Sequence, residues 1–340
     1  MCYKSGTACG LGRVSSETMK FPYELPDNHE GESYANTLSF DSCFETGNLY
    51  QAVQVGAAEY DLFTRPDLHS AVGHMQWFYF AVSNTHAKGN NGPSRVKFNV
   101  MNMQKNDSLF NQGMRPVMYS KMDADAARNP KGWVRSGVPG TISYYANSYK
   151  RIDAVQGQPG ATREIDGAIY YTLSFAIDFH NVGDTYLLAY TYPFTFTDSK
   201  YHLQELMASP RTSRHMRRQV LCKTVAGHDT DLITIADFAS SENKDTGGWG
   251  VEEQHLIAQA NNRRKCICLS ARVHPGEVGA SWMMKGVLDF LTSESEQVSR
   301  APRSHGCPHA SASRSMATSI CSYNVRQHTT YTSLASRLLY

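Results

Sequence analysis

The feature that most constrains this chain is a hydrophobic pattern of period two that runs from about residue 40 to residue 197 and then stops. Val96, Phe98 and Val100 alternate with Lys97 and Asn99. Tyr171, Leu173, Phe175, Ile177 and Phe179 alternate with Thr172, Ser174, Ala176 and Asp178. Successive strand residues point to opposite faces, so each run presents one apolar face that must be buried against another sheet. Residues 77–82 and 186–192 are apolar or aromatic on both faces. Gly/Pro/Asn clusters at residues 89–93, 129–132, 137–140 and 157–160 punctuate these runs, as turns do between short strands. No stretch of this half has helical period. The pattern predicts an antiparallel β-sandwich over residues 38–197, with Phe98, Val100, Leu173, Phe175 and Ile177 facing inward.

The pattern changes at about Asp198. Asp198 or Ser199 can cap a helix on which Leu203, Leu206 and Met207 share a face, and Pro210 limits its end. Residues 220–225 and 231–238 read as two strands joined across Gly227, His228 and Asp229. Residues 266–273 form a mostly apolar run suited to a buried strand, with Cys266 and Cys268 as small core residues. A tight turn, His274-Pro275-Gly276-Glu277, leads into the best helix of the chain. Ala280, Met283, Met284, Val287, Leu288 and Leu291 recur at helical spacing, with Ser281, Lys285 and Asp289 on another face. Strand, turn and helix make half of a βαβ unit, so residues 198–291 read as the beginning of an α/β domain. The expected fold class is therefore α+β with two domains. Residues 1–37 are polar and Gly/Ser-rich and read as a flexible lead-in. Residues 292–340 are Ser-rich, with no Asp or Glu after Glu296, and read as an unordered tail.

Composition removes several function classes. The 33 Lys and Arg nearly balance 31 Asp and Glu, for a net charge of +2, so neither a polybasic nucleic-acid binder nor an acidic solvating chain is indicated. No apolar run is long enough to cross a bilayer, and the N-terminus shows no apolar signal core. The eight Cys are scattered, without a CxxC, so neither a disulfide framework nor a zinc knuckle is read. A reducing, cytoplasmic location is expected.

The sharpest candidate site is the turn itself. His274 and Glu277 lie three residues apart just past the carboxyl end of a predicted strand, where open α/β sheets bind ligands. An imidazole nitrogen and a carboxylate held on a tight turn can converge on one cation. Two His and one Glu around zinc, with water in the open position, make a catalytic arrangement. Alone, H-x-x-E is a weak signal. Other candidates are weaker. His305, His309 and His328 lie in the tail, and His228 and His255 in turn-like or polar sequence. Arg211, Arg214, His215, Arg217 and Arg218 make a basic stretch that reads as a solvated connection, or as an attractor of acidic peptides. Residues 77–80 read as sandwich core.

The residues around the turn are more specific. Residues 270–277, Ser-Ala-Arg-Val-His-Pro-Gly-Glu, and residues 281–286, Ser-Trp-Met-Met-Lys-Gly, resemble the zinc-binding segment of the cytosolic carboxypeptidases, zinc metallocarboxypeptidases related to carboxypeptidase A. Residues 44–49 (Phe-Glu-Thr-Gly-Asn-Leu), 76–80 (Gln-Trp-Phe-Tyr-Phe), 190–195 (Tyr-Thr-Tyr-Pro-Phe-Thr) and 222–227 (Cys-Lys-Thr-Val-Ala-Gly) resemble that family's segments in the same order. The resemblance covers about residues 38–291. It implies a β-sandwich in front of an α/β zinc peptidase, and a Zn²⁺ cofactor with His274 and Glu277 as its first two ligands. It implies hydrolysis at peptide C-termini, typically of glutamates on acidic tails such as those of tubulin, with neither nucleic acid nor membrane as partner.

The resemblance ends near Leu291. The family's third ligand (a later His), its general-base Glu and the Asn and Arg residues that grip the substrate carboxylate find no match beyond that point, and no catalytic residue is assigned. The chain thus reads as shortened within the peptidase domain, binding zinc weakly and turning over little. The competing reading is a catalytically inert β-sandwich binding protein with a remnant peptidase domain.

Overall fold

The computed structural model describes residues 2–4, 37–65, 75–85, 94–127, 130–154, 162–224, 227–235, 266–293 and 317–322. The chain divides into two compact units, Met1–Pro193 and Phe194–Tyr340.

The first unit is a β-sandwich. One sheet contains β1 (Cys2–Lys4), β3 (Leu49–Gly56), β4 (Glu59–Thr64), β6 (Ser94–Met103), β9 (Ser143–Ala154) and β10 (Thr162–Phe179), in the order β1-β3-β4-β6-β10-β9. The other contains β2 (Ser39–Asp41), β5 (Tyr79–Ser83), β7 (Val117–Ser120), β8 (Val134–Arg135) and β11 (Tyr186–Ala189), in the order β2-β5-β11-β7-β8. The pairings are antiparallel except one. Between β4 and β6 the chain visits the second sheet as β5, and β4 and β6 then pair in parallel, with Tyr60 opposite Phe98. The connections also hold a 3₁₀ turn at Leu109–Gln112 and a one-turn helix, α1 (Lys121–Ala124). Cys2–Lys4, inside the expected lead-in, is an edge strand against β3; residues 5–36 lie outside the described residues.

Phe98, Val100, Leu173, Phe175 and Ile177 all face inward and are fully buried. Aromatic rings from both sheets interlock there: Phe78 stacks on Phe175 at 5.8 Å, and Phe80 meets Phe98 edge-on at 5.9 Å. The polar partners of the alternation are not all exposed. Lys97 is exposed, but Asn99, Thr172 and Ser174 are buried. Their burial is tolerated because they bond to one another and to their neighbours. Asn99 donates to Glu59 and Asp61, both at 2.8 Å, and Ser174 donates to Asn99 at 2.6 Å. Three of the family-like segments meet at one place. Asn48 donates to the Trp77 carbonyl and accepts from the Tyr79 amide, the Trp77 indole donates to the Thr46 carbonyl, and Gln76 donates to the Tyr190 hydroxyl. Thr46 is left-handed here (φ 64°), and a Cβ at Gly47 would collide with the Ser42 carbonyl, so that tight turn requires glycine.

In the second unit, β12 (Met216–Lys223), β13 (Asp229–Ile235), β14 (Cys266–Ser270) and β15 (Ala317–Ser322) form a sheet in the order β12-β13-β15-β14. β12 and β13 form the expected hairpin, turning through Gly227 at φ 81°. β15 lies in the segment expected to be unordered; it pairs antiparallel to β13 and parallel to β14. That stretch is small, uncharged and free of proline, so it can pair even though its surroundings lack periodicity. The rest of the tail beyond Ser293 lies outside the described residues.

The first long helix, α2, runs Phe196–Ala208, so its cap is Thr195 and not Asp198 or Ser199. Thr195 and Asp198 form a reciprocal capping box, which places Asp198 inside the first turn. Pro210 does end α2, by opening the short helix α3 (Pro210–Ser213). The last helix, α4, runs Val278–Leu291. Leu203, Met216, Ile233, Ile235, Met284 and Leu288 make the core of this unit. Two expectations fail here. Met283 is 75% exposed while Ser281 is buried, because the stripe facing the sheet is Ser281, Met284 and Leu288. Cys268 is exposed and Ile267 is 42% exposed. The described long helices pack on the face carrying Ile233 and Leu269, which leaves Cys268, on the opposite face of β14, exposed among the described residues.

Candidate metal site

β14 ends at Ser270, and the chain bends at Arg272, which adopts a left-handed backbone (φ 55°). A non-glycine residue in that region costs roughly 1–2 kcal/mol, so its surroundings must hold it there. They do: the buried Arg272 side chain donates to the carbonyls of Pro275 at 3.0 Å and Phe194 at 2.8 Å, and to the Ser281 hydroxyl at 3.3 Å. The bend releases the chain into the turn, which closes through the Glu277 amide donating to the His274 carbonyl at 3.0 Å. Glu277 is the N-cap residue of α4, yet its side chain makes no capping bond. Its carboxylate instead stands beside the positive end of the helix dipole, where a negative charge is favoured.

The turn brings His274 and Glu277 together, as their spacing suggested. His274 Nδ1 lies 3.0 Å from Glu277 Oε1, and the side chains are 61% and 56% exposed. A tetrahedral zinc bonded to both atoms at about 2.1 Å would hold them about 3.4 Å apart. A few tenths of an ångström of side-chain rotation therefore separates this pair from a chelating pair. The donor types, imidazole nitrogen and carboxylate oxygen, also suit zinc. The fit covers two protein donors. Among the described residues no third His, Cys, Asp or Glu joins them.

The other candidates fall elsewhere. His228 is exposed on the β12–β13 hairpin with its ring 5.0 Å from Phe196. His255, His305, His309 and His328 lie outside the described residues. Of the basic stretch, Arg211, Arg214 and His215 are exposed, whereas Arg217 and Arg218 are half-buried and engaged with the Ser213 carbonyl and Asp231.

Three groups in this unit escaped the sequence reading. Buried His202 on α2 lies 2.6 Å from Asp289 on α4, which also accepts from Lys285 at 2.8 Å. Burial raises the Asp289 pKa, but the hydrogen bonds from Lys285 and His202 outweigh it, and the net result lies below the usual carboxylate value. Asp231, buried on β13, accepts from Lys200 and Arg218, both at 2.8 Å. The third is the Arg272 clasp. The available signal for His202 was its spacing, four residues before Leu206 on α2.

Residues 40–152 match the family model for the cytosolic carboxypeptidase N-terminal domain. The chain is 39% identical over 283 residues to human cytosolic carboxypeptidase 4, covering 83% of this chain and 22% of that protein. It is 37% identical over 260 residues to cytosolic carboxypeptidase 2 of Xenopus tropicalis, covering 76% of this chain and 23% of that one. Over most of its own length the chain is thus similar to cytosolic carboxypeptidases. It spans less than a quarter of the length of these two cytosolic carboxypeptidases. Among solved structures, a metallo-carboxypeptidase from Burkholderia cenocepacia aligns with a TM-score of 0.48 at 17% identity, covering 84% of this chain and 55% of that one. Among the described residues, no helix is long and apolar enough to cross a membrane.

Proposed function

We propose that the chain carries the β-sandwich and the first two zinc donors of a cytoplasmic carboxypeptidase acting on peptide C-termini, with glutamates of acidic tails such as those of tubulin as substrate. The observation that carries this reading is the 3.0 Å approach of His274 Nδ1 to Glu277 Oε1 on a turn at the carboxyl end of β14. Similarity to the cytosolic carboxypeptidases supports the reaction class. Bound zinc supplies Lewis-acid polarisation of the scissile carbonyl and a water of lowered pKa. The chain's own contribution is to hold the two donors on a braced turn, with the Glu277 carboxylate oriented at a helix N-terminus. Exposed Arg211 and Arg214 add positive charge suited to drawing in acidic tails.

A second reading is a binding protein built on the sandwich. It is favoured by one observation: no group of three metal donors assembles among the described residues.

Zinc stoichiometry after dialysis and release of C-terminal glutamate from a peptide separate the two readings, with His274→Ala and Glu277→Ala as controls. Two donors alone predict weak zinc binding that either substitution abolishes, and little turnover, because positioned proton transfer normally contributes about 10²–10⁴-fold. Stoichiometric tight zinc, with turnover lost in both variants, shows a third donor completing the site and removes the inert reading. Zinc binding that neither substitution changes overturns the assignment of the pair.

A further inference from the structure

We infer that Arg272 is a positioning residue, a clasp that fixes the His274–Glu277 turn in its chelating shape. The turn's own contacts are short-range and lie at the surface. The His274 and Glu277 side chains are more than half exposed, and the turn itself closes through one backbone bond, Glu277 to His274. Arg272, by contrast, is 2% exposed, and its guanidinium reaches three separate pieces of the second unit. Nε holds the Pro275 carbonyl, inside the turn. Nη1 holds the Phe194 carbonyl, just before α2, and the Ser281 hydroxyl, in the first turns of α4. The turn is thereby tied to both helices that cover the sheet. Trp282 seals the same corner, its ring edge-on to Phe194 at 5.0 Å.

The backbone points the same way. Arg272 stands at φ 55°, a conformation that persists for a bulky residue only where its environment over-determines it. A glycine would adopt that bend without strain. An arginine there gives up backbone ease for a rigid planar fork, which can hold several acceptors in fixed directions where a lysine offers one point charge. The bend also explains the burial of Ser281, which a helix-period reading puts on the polar face: its hydroxyl is an acceptor for the clasp.

The inference rests on the zinc reading only for its metal arm, so the test has an arm without metal. In the metal-free full chain, amide exchange is measured at Glu277, whose N–H closes the turn, and at Leu288 and Ile233 in the core. Zn²⁺ affinity is then measured by competition with a chromophoric chelator, alongside thermal melts. Arg272→Gln is expected to speed Glu277 exchange about tenfold or more while Leu288 and Ile233 change little, because local opening is uncoupled from global unfolding. Its Zn²⁺ affinity should fall about 10- to 100-fold, the usual effect of losing a group that orients a ligand. Arg272→Lys keeps the buried charge, should fold where Gln does not, and should still show fast Glu277 exchange. Glu277 exchange unchanged in the folded variant, or rising equally at Leu288 and Ile233, overturns the inference, since the second pattern is that of a merely structural residue. If His274→Ala leaves wild-type Zn²⁺ affinity untouched, the zinc reading fails, and the exchange comparison alone still decides the clasp.

Discussion

Among the described residues the sandwich buries a cluster of twenty hydrophobic side chains, with a smaller one of three beside it, whereas the buried cluster of the second unit has six. Nearly half of the sandwich core is aromatic, drawn from both sheets, with ring centroids 5.7–5.9 Å apart around Phe98 and Phe175. The second unit relies more on charged ties between elements: Asp231 with Lys200 and Arg218, His202 with Asp289, and the Arg272 clasp. Burial of apolar area is non-directional and insensitive to ionic strength, while charged hydrogen bonds fix angles and distances. The contrast assigns different work to the two parts. The sandwich supplies stability, and the second unit supplies geometry for a pair of donors that must stand at a set distance.

The sharpest way to break that comparison is to empty the sandwich core. Phe98 is fully buried and packs against Tyr60, Phe80, Phe175 and Phe179. Phe98→Ala is expected to cost about 3–5 kcal/mol, read as a shift in the denaturant midpoint of a β-type circular dichroism signal. A shift of under about 1 kcal/mol would mean that this cluster is not the stability core. A helix-rich spectrum from residues 38–197 alone would contradict the sandwich itself.

Next in size is the buried ion triad of the second unit. Asp231→Asn leaves Lys200 and Arg218 without their shared carboxylate. Full burial would make the loss about 3–5 kcal/mol. Both cations remain partly exposed, at 26% and 31%, so water screens them, and roughly 1–3 kcal/mol is expected. Raising the salt concentration should shrink this effect and leave that of Phe98→Ala unchanged. Equal salt sensitivity in the two variants would remove the distinction drawn between the units.

The same contrast governs what could be seen in the sequence. Phe98, Val100, Leu173, Phe175 and Ile177 were legible because burial on one sheet face imposes a period of two. The His274–Glu277 pair was legible because both donors sit on one turn, so local spacing dictates their approach. Thr195 was missed as a cap because Asp198, its partner in the capping box, is itself a good capping residue. Arg272, His202 and Asp231 were not legible as site-forming residues. Their partners lie up to 87 residues away, in Phe194, Asp289 and Lys200, and periodicity carries no record of such pairings. β15 was missed for a related reason: its place between β13 and β14 comes from pairing, not from any pattern of its own.

The smallest expected effect is at Asp289, and it is a pH dependence. Asp289 is 45% exposed, and its hydrogen bonds with His202 and Lys285 hold its pKa below the unfolded value despite the opposing pull of burial. A carboxylate whose folded-state pKa is depressed binds its proton more readily in the unfolded chain. Its contribution to stability is thus fully present above the unfolded pKa, near 3.8, and is lost as pH falls through the still lower folded-state value. Asp289→Asn keeps the shape and removes the charge, so near neutral pH it should cost about 1 kcal/mol or less, in keeping with a partly exposed pair. The gap between variant and wild type should close as pH falls below the folded-state value, because both side chains are then neutral. Comparing the two unfolding midpoints from pH 2 to pH 7 checks the sign. A gap that widens with acid would mean that the neutral carboxyl is the form the fold prefers. In that case burial, and not the His202 and Lys285 hydrogen bonds, would dominate where α2 meets α4.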